Sequence, residues 1–229
     1  MVAQLPLHIA LTEAAIFDNF LPGENLVAVG LCQGLAVGDG DKQVFIWGES
    51  AVGKTHLLQA ACSCATESSR LASYLPLKEI ISYGPEVLEG LDQFDLVCID
   101  DVHLCAGNTS WETALFGFIN LCRSSHTQLL FSGQNIPAQL GVLLADLRSR
   151  LSWGAIVQLQ ELNDNDKLLW LKQRALRQGL DMPEDVASYL VRHYPRDMHS
   201  QDDLLARLNS ASLAAQRRLT VAFVKQALS

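Results

Sequence analysis

Gly48-Glu49-Ser50-Ala51-Val52-Gly53-Lys54-Thr55 is the stretch from which the rest of the chain is read. It fits G-x-x-x-x-G-K-[ST], the pattern of a phosphate-binding loop. The run before it, Val44-Phe45-Ile46-Trp47, is short and apolar, as a buried strand is. The run after it, His56-Leu57-Leu58-Gln59-Ala60-Ala61, continues as a helix whose N-terminus faces the loop. In such a unit Gly48 and Gly53 let the backbone N–H groups of Ser50, Ala51 and Val52 curl around a β-phosphate. Lys54 brings a point charge to the β and γ oxygens, the Thr55 hydroxyl ligates Mg²⁺, and His56 stands in the first helical turn beside them.

Composition sets the outer bounds. The chain has 229 residues, 49% of them apolar, which suits one large α/β unit or a core with a small appendage. A formal charge of -8 argues against a protein that tracks DNA phosphates by itself, because Lys and Arg carry that kind of binding. No run approaches the ~20 apolar residues of a membrane span, and the N-terminus lacks a basic segment followed by an apolar one. A cytoplasmic protein is therefore expected. Cys32, Cys62, Cys64, Cys98, Cys105 and Cys122 lie scattered in apolar segments, without C-x-x-C spacing, and read as buried free thiols.

From Val44 to about Leu159 short apolar runs alternate with helical patterns. Strands are expected at 44–47, 72–77, 95–99, 128–132 and 155–159, with helices between them. That alternation predicts a five-stranded parallel sheet flanked by helices. Beyond Leu162 the strand signals stop and a small all-α region is expected. Asn163 caps a first helix that Gly179 ends, and further helices are expected at 183–194 with Pro183 in the first turn, at 203–219, and at 221–228 behind Thr220.

Leu96-Val97-Cys98-Ile99-Asp100-Asp101 is an apolar strand ending in two carboxylates. At this distance after a phosphate loop, Asp100 is expected to hold Mg²⁺ together with Thr55. Asp101 takes the place of a general base for the attacking water, where its short side chain positions that water poorly. After the next strand, Gln134 stands where a polar side chain can sense the γ-phosphate from between the two motifs.

Several motifs together carry a family resemblance. Phe17-Asp18-Asn19-Phe20 with Gly23 and Asn25, Gly53-Lys54-Thr55-His56-Leu57-Leu58, and Asp146-Leu147-Arg148-Ser149-Arg150-Leu151 ahead of Trp153-Gly154 resemble the AAA+ core of the bacterial replication initiator DnaA. Within that group the chain is similar to the Hda family, the regulatory inactivators of DnaA. The resemblance implies an AAA+ P-loop core over 11–161, a helical lid over 162–229 and a clamp-binding peptide over 1–10. Arg150 would be an arginine finger acting in trans, stimulating ATP hydrolysis by DnaA and so restraining replication initiation. Gln4-Leu5-Pro6-Leu7 would dock on the sliding clamp, the beta subunit of DNA polymerase III.

The resemblance also implies bound ADP or ATP with Mg²⁺. His199 stands at the lid position where the initiator has a nucleotide-touching arginine, with Arg196 near enough to compensate. With Asp101, Gln134 and His199 all departing from the initiator's pattern, weak or absent intrinsic ATPase activity is expected. A homodimer or higher homo-oligomer is compatible with the family. A freestanding P-loop ATPase explains the loop and Asp100 but gives no reason for the terminal peptide or the finger; an AAA+ adaptor or helicase-loader-like protein explains the core but calls for a basic strand-binding surface that this acidic chain hardly supplies.

Overall fold

The computed structural model of the chain describes residues 15–194 and 198–228, leaving out the side chains of 198 and 199. Five strands, β1 (Gln43–Trp47), β2 (Ala72–Pro76), β3 (Leu96–Asp100), β4 (Gln128–Gly133) and β5 (Ala155–Gln158), form one sheet in the order β2-β3-β4-β1-β5. Every neighbouring pair is parallel. The helices of this unit are α1 (Leu26–Val37), α2 (Lys54–Glu67), the short α3 (Leu77–Ile80), α4 (Thr109–Ser124) and α5 (Ala145–Leu151). Leu77, expected to end the second strand, instead opens α3. Pro76 before it has no N–H to give the ladder, so pairing stops there.

Side chains alternate across the sheet with the two-residue period of a strand. Val44, Ile46, Leu96, Cys98 and Leu130 face one cluster with Leu35, Leu57 and Leu58. Phe45, Val97, Ile99, Leu129 and Phe131 face the other, with Trp111, Leu115 and Ile119. β3 and β4 are buried along their whole length, which explains why they read as unbroken apolar runs. The order of strands places β4 between β3 and β1. The carboxyl ends of β1 and β3, where the phosphate-loop pattern and the paired carboxylates lie, therefore flank the end of β4.

The described chain divides into two compact units, the first ending at Gln160 and the second beginning at Glu161. The second consists of α6 (Asp164–Arg177), α7 (Glu184–His193), α8 (Met198–Ala215) and α9 (Val221–Leu228), with no strand among its described residues. Asn163 caps α6 as expected, its side chain accepting from the Asp166 N–H at 3.0 Å, and Gly179 follows the helix end with φ 73°. Pro183 lies one step outside α7, as its extended N-cap, rather than in the first turn. α8 begins and ends earlier than the sequence suggests; Gln216, at φ 50°, stops it before Leu219. Leu171, Val186, Leu190, Leu205 and Val224 supply the buried face of this unit.

All six cysteines are free and all but Cys64 are buried. Burial pushes the Cys32 and Cys105 thiols up to about 12, far from any nucleophilic form. Among the described residues no helix is long and apolar enough to cross a membrane.

Candidate functional site

The loop from Gly48 to Thr55 joins β1 to α2. Gly53 is the N-cap of α2, with φ 99°, a left-handed conformation that glycine adopts without strain. It is also crowded: a Cβ there would lie 2.6 Å from Cε2 of Phe20. Val52 is buried in the apolar cluster beneath and fastens the loop to the core, while Ser50 is exposed and Ala51 takes φ 62°. Lys54 is 7% exposed, and its Nζ donates to Gly48 O at 2.7 Å and Glu49 O at 2.6 Å. Burial lowers the Lys54 pKa, and the nearby Asp101, Asp100 and Glu49 carboxylates oppose that shift.

The segment before α1 is built onto the back of the loop. His56 Nε2 lies 2.9 Å from Ile16 O and its ring centroid 5.6 Å from that of Phe20. Phe17 and Phe20 pack against the apolar cluster under the loop. Asn25 is buried and pairs twice with Gln160, accepting from its N–H at 2.7 Å and donating to its carbonyl at 3.0 Å.

Asp100, at the end of β3, accepts from four protein donors. Thr55 Oγ1 donates to Oδ2 at 2.7 Å and the Tyr74 hydroxyl donates to the same oxygen at 2.8 Å. Ser132 Oγ donates to Oδ1, and the Asp101 N–H reaches both that oxygen at 3.1 Å and Ser132 Oγ at 2.8 Å. Burial, then the Asp100 charge, raises the Tyr74 pKa, so the phenol stays a donor. The oxygens of Thr55 and Asp100, brought together by this bond, suit a hard cation such as Mg²⁺, which would neutralise phosphate charge there. Tyr74 and Ser132 orient the carboxylate, and nothing in the Gly48–Thr55 pattern points to either residue. Tyr74→Phe is expected to reduce stability by about 1.5 to 3 kcal/mol, the range for a hydrogen bond to a charged group, as measured by urea unfolding.

Asp101 adopts φ 56° and ψ 43°, a left-handed conformation that aspartate tolerates better than most residues. Its Oδ1 lies 3.9 Å from His103 Nδ1, too far for a hydrogen bond. Burial, with Asp100 beside it, raises the Asp101 pKa, and burial lowers that of His103. Gln134 is exposed and directly follows β4, whose last carbonyl, Gly133 O, accepts from the Gly48 N–H at 3.3 Å. It thus stands beside the loop, between the two motif strands. His199 belongs to α8 but its side chain lies outside the described residues, as do Arg196 and Gln4, Leu5, Pro6 and Leu7.

Arg150 sits elsewhere. It is in the last turn of α5, and its carbonyl accepts from Gln43 Nε2 at 2.8 Å. Gln43 is the first residue of β1, whereas the loop leaves the last, so the backbone of Arg150 and the chain's own loop are at opposite ends of that strand, about 13 Å apart along it. The guanidinium Nε donates to Asn120 Oδ1 at 2.8 Å, and Cζ lies over the Trp153 ring at 4.0 Å and the Phe116 ring at 5.4 Å. Among the described residues no acceptor meets its terminal nitrogens. Arg150 is thus a partly exposed cation held at one edge and one face. Asn120 and Gln43 enter this arrangement through tertiary contacts that no motif announces, whereas Trp153 follows directly on the motif that holds Arg150.

The bacterial DnaA ATPase domain model matches residues 11–81 and 84–158. The chain belongs to the bacterial DnaA ATPase-domain family. The second unit matches a separate model, the Hda lid domain, over residues 164–228. Among solved structures, domain III of DnaA from Thermotoga maritima superposes with a TM-score of 0.82 at 20% identity, covering 96% of this chain and 97% of that one. AMPPCP-bound DnaA from Aquifex aeolicus gives 0.76 at 22% identity over 88% of this chain and 67% of that one. A Thermotoga maritima RuvB mutant gives 0.72 at 16% identity, covering 93% and 72%. These likenesses establish the AAA+ fold of the DnaA-type core.

Proposed function

We propose that the chain is a nucleotide-bound regulator that stimulates hydrolysis of ATP held by DnaA, with Arg150 as an arginine finger supplied in trans, and so limits replication initiation. The carrying observation is the position of Arg150 at the end of β1 remote from the chain's own loop, with its terminal nitrogens meeting no acceptor among the described residues. A cation there serves another subunit's phosphates, where charge develops on the γ-phosphoryl oxygens. In this reading the loop with Lys54 and His56 holds ADP, or ATP, while Thr55 and Asp100 hold Mg²⁺, and Gln134 and His199 face the nucleotide. Gln4, Leu5, Pro6 and Leu7 dock on the DNA-loaded sliding clamp, and the protein works in the cytoplasm, as a homodimer or higher oligomer in its resting form.

The bound nucleotide marks a conformational state and is turned over slowly. The short side chain of Asp101, which directly follows Asp100 at the end of β3, supports that reading because it reaches less far toward an attacking water than a glutamate does. Steady-state phosphate release by the purified chain is expected well below the order of 1 s⁻¹, and a rate of that order without partners refutes slow turnover.

The test of the whole proposal mixes the chain with ATP-loaded DnaA and DNA-loaded clamp and follows the nucleotide on DnaA. Conversion to ADP that needs both the chain and the clamp supports the reading. A combined Gln4→Ala, Leu5→Ala and Leu7→Ala variant loses clamp binding and, with it, stimulation. An unchanged fate of DnaA's ATP across these mixtures rejects the proposal in favour of a freestanding ATPase or a loader-like adaptor.

A further inference from the structure

We infer that Gln43 is a positioning residue for Arg150, because one buried amide fixes both the backbone that carries the guanidinium and the backbone of the ring beneath it. The inference rests on the finger reading of Arg150 given above. α5 has seven residues, too few to be stable alone, and its last carbonyls have no partner within the helix. Gln43 Nε2 lies 2.8 Å from Arg150 O, 3.3 Å from Leu151 O and 3.0 Å from Trp153 O. Gln43 is 6% exposed, so these carbonyls are gathered by a donor that water does not compete for. The close approach continues one residue on. Gly154 takes φ 72°, and a Cβ there would fall 2.0 Å from Gln43 O, so the chain can cross β1 at this point only as glycine.

The Trp153 ring needs this anchor. Two cations approach it, Arg123 Cζ at 3.6 Å and Arg150 Cζ at 4.0 Å from its centroid, which attract the ring but repel each other. Asn120 fixes one edge of the Arg150 guanidinium, but it acts from α4 and says nothing about where α5 ends. Among the described residues, Gln43 is the one side chain whose hydrogen bonds reach both the end of α5 and the Trp153 carbonyl. If its amide is lost, both can shift against α4. A misplacement of about 1 Å in a catalytic group costs about 10²-fold in rate.

The measurement is the maximal rate of DnaA-bound ATP hydrolysis at saturating chain, with DNA-loaded clamp, for the native chain, Gln43→Met, Arg150→Ala and the double variant. Gln43→Met keeps the side-chain volume and removes the donors. It is expected to lower the maximal rate about 10-fold or more, to leave ADP affinity within about twofold, and to add nothing to Arg150→Ala. A folded Gln43→Met chain that reaches the native maximal rate overturns the inference, as does a loss that adds to that of Arg150→Ala. If Gln43→Met does not fold, Gln43→Asn, whose amide is one methylene short, must show the same pattern. Failure of both to fold assigns the amide to stability and also overturns it. Stimulation that survives Arg150→Ala removes the finger reading itself, whereas stimulation lost in Arg150→Ala but intact in the Gln43 variants removes only this inference.

Discussion

Arg150→Ala is expected to abolish stimulation of DnaA-bound ATP hydrolysis, a loss of about 10³-fold or more, which is the lower part of the range for an arginine finger. The same variant keeps its own nucleotide and its clamp binding. The expectation follows from where Arg150 stands. Its carbonyl is tied to the first residue of β1, while the chain's own loop leaves the last, so alanine at 150 removes nothing from the local phosphate site. Nor does it open the core, because the Arg150 side chain is partly exposed and rests on Trp153 rather than beneath it. Arg150→Lys is expected to recover little. An ammonium has neither the Nε–H that Asn120 accepts nor a planar face to lie on the indole. Single-turnover hydrolysis of radiolabelled ATP on DnaA, with tryptophan fluorescence to verify folding, checks both variants.

Glu112→Ala is expected to cost about 3 kcal/mol of stability or more, because it leaves three converging backbone donors without their acceptor, each at about 1 to 3 kcal/mol. Glu112 lies on α4 at 1% exposure, and its carboxylate accepts from the N–H groups of Gly107 at 2.8 Å, Leu143 at 3.0 Å and Leu144 at 2.7 Å. Leu144 is the N-cap of α5, so this carboxylate holds the start of the Arg150 helix much as Gln43 holds its end. Burial opposes ionisation of Glu112, but the Leu143, Leu144 and Gly107 N–H groups and the Arg148 charge outweigh it and hold the pKa below its ordinary value of 4.5. A carboxylate with a depressed folded-state pKa contributes stability that is fully present above the unfolded value and is lost as pH falls through the folded one. Urea unfolding of the native chain should therefore weaken as pH drops below about 4.5, and Glu112→Gln should flatten that decline. An unchanged pH slope in Glu112→Gln refutes the assignment.

The readable part of the site was local. Asp100 and Thr55 could be paired from sequence because a phosphate loop and an apolar strand ending in aspartate have fixed places in a parallel sheet, and the structure joins them by one hydrogen bond. The strands were legible because β3 and β4, covered on both faces, must be apolar throughout. Tyr74 was not legible. It reaches Asp100 only because β2 pairs with β3, and strand order is not written in either segment. Asn120, Glu112 and Gln43 carry no local signal for the same reason: each acts on a residue about thirty or more positions away. α8 opens at Met198, five residues before the start expected at Asp203.

By itself the sequence determined the class of the protein: a phosphate loop after a strand, carboxylates at the end of another, a helical region beyond, and an arginine within Ser149-Arg150-Leu151. These follow from periodicity and from residue types that only certain backbone geometries accept. Only the tertiary structure decided that the Arg150 backbone lies at the opposite end of β1 from the loop, with its guanidinium on Trp153 and Asn120. That decision belongs to contacts between distant segments, whose free energy comes from burying the Gln43 amide and stacking the indole, and such terms exist only once the sheet has formed.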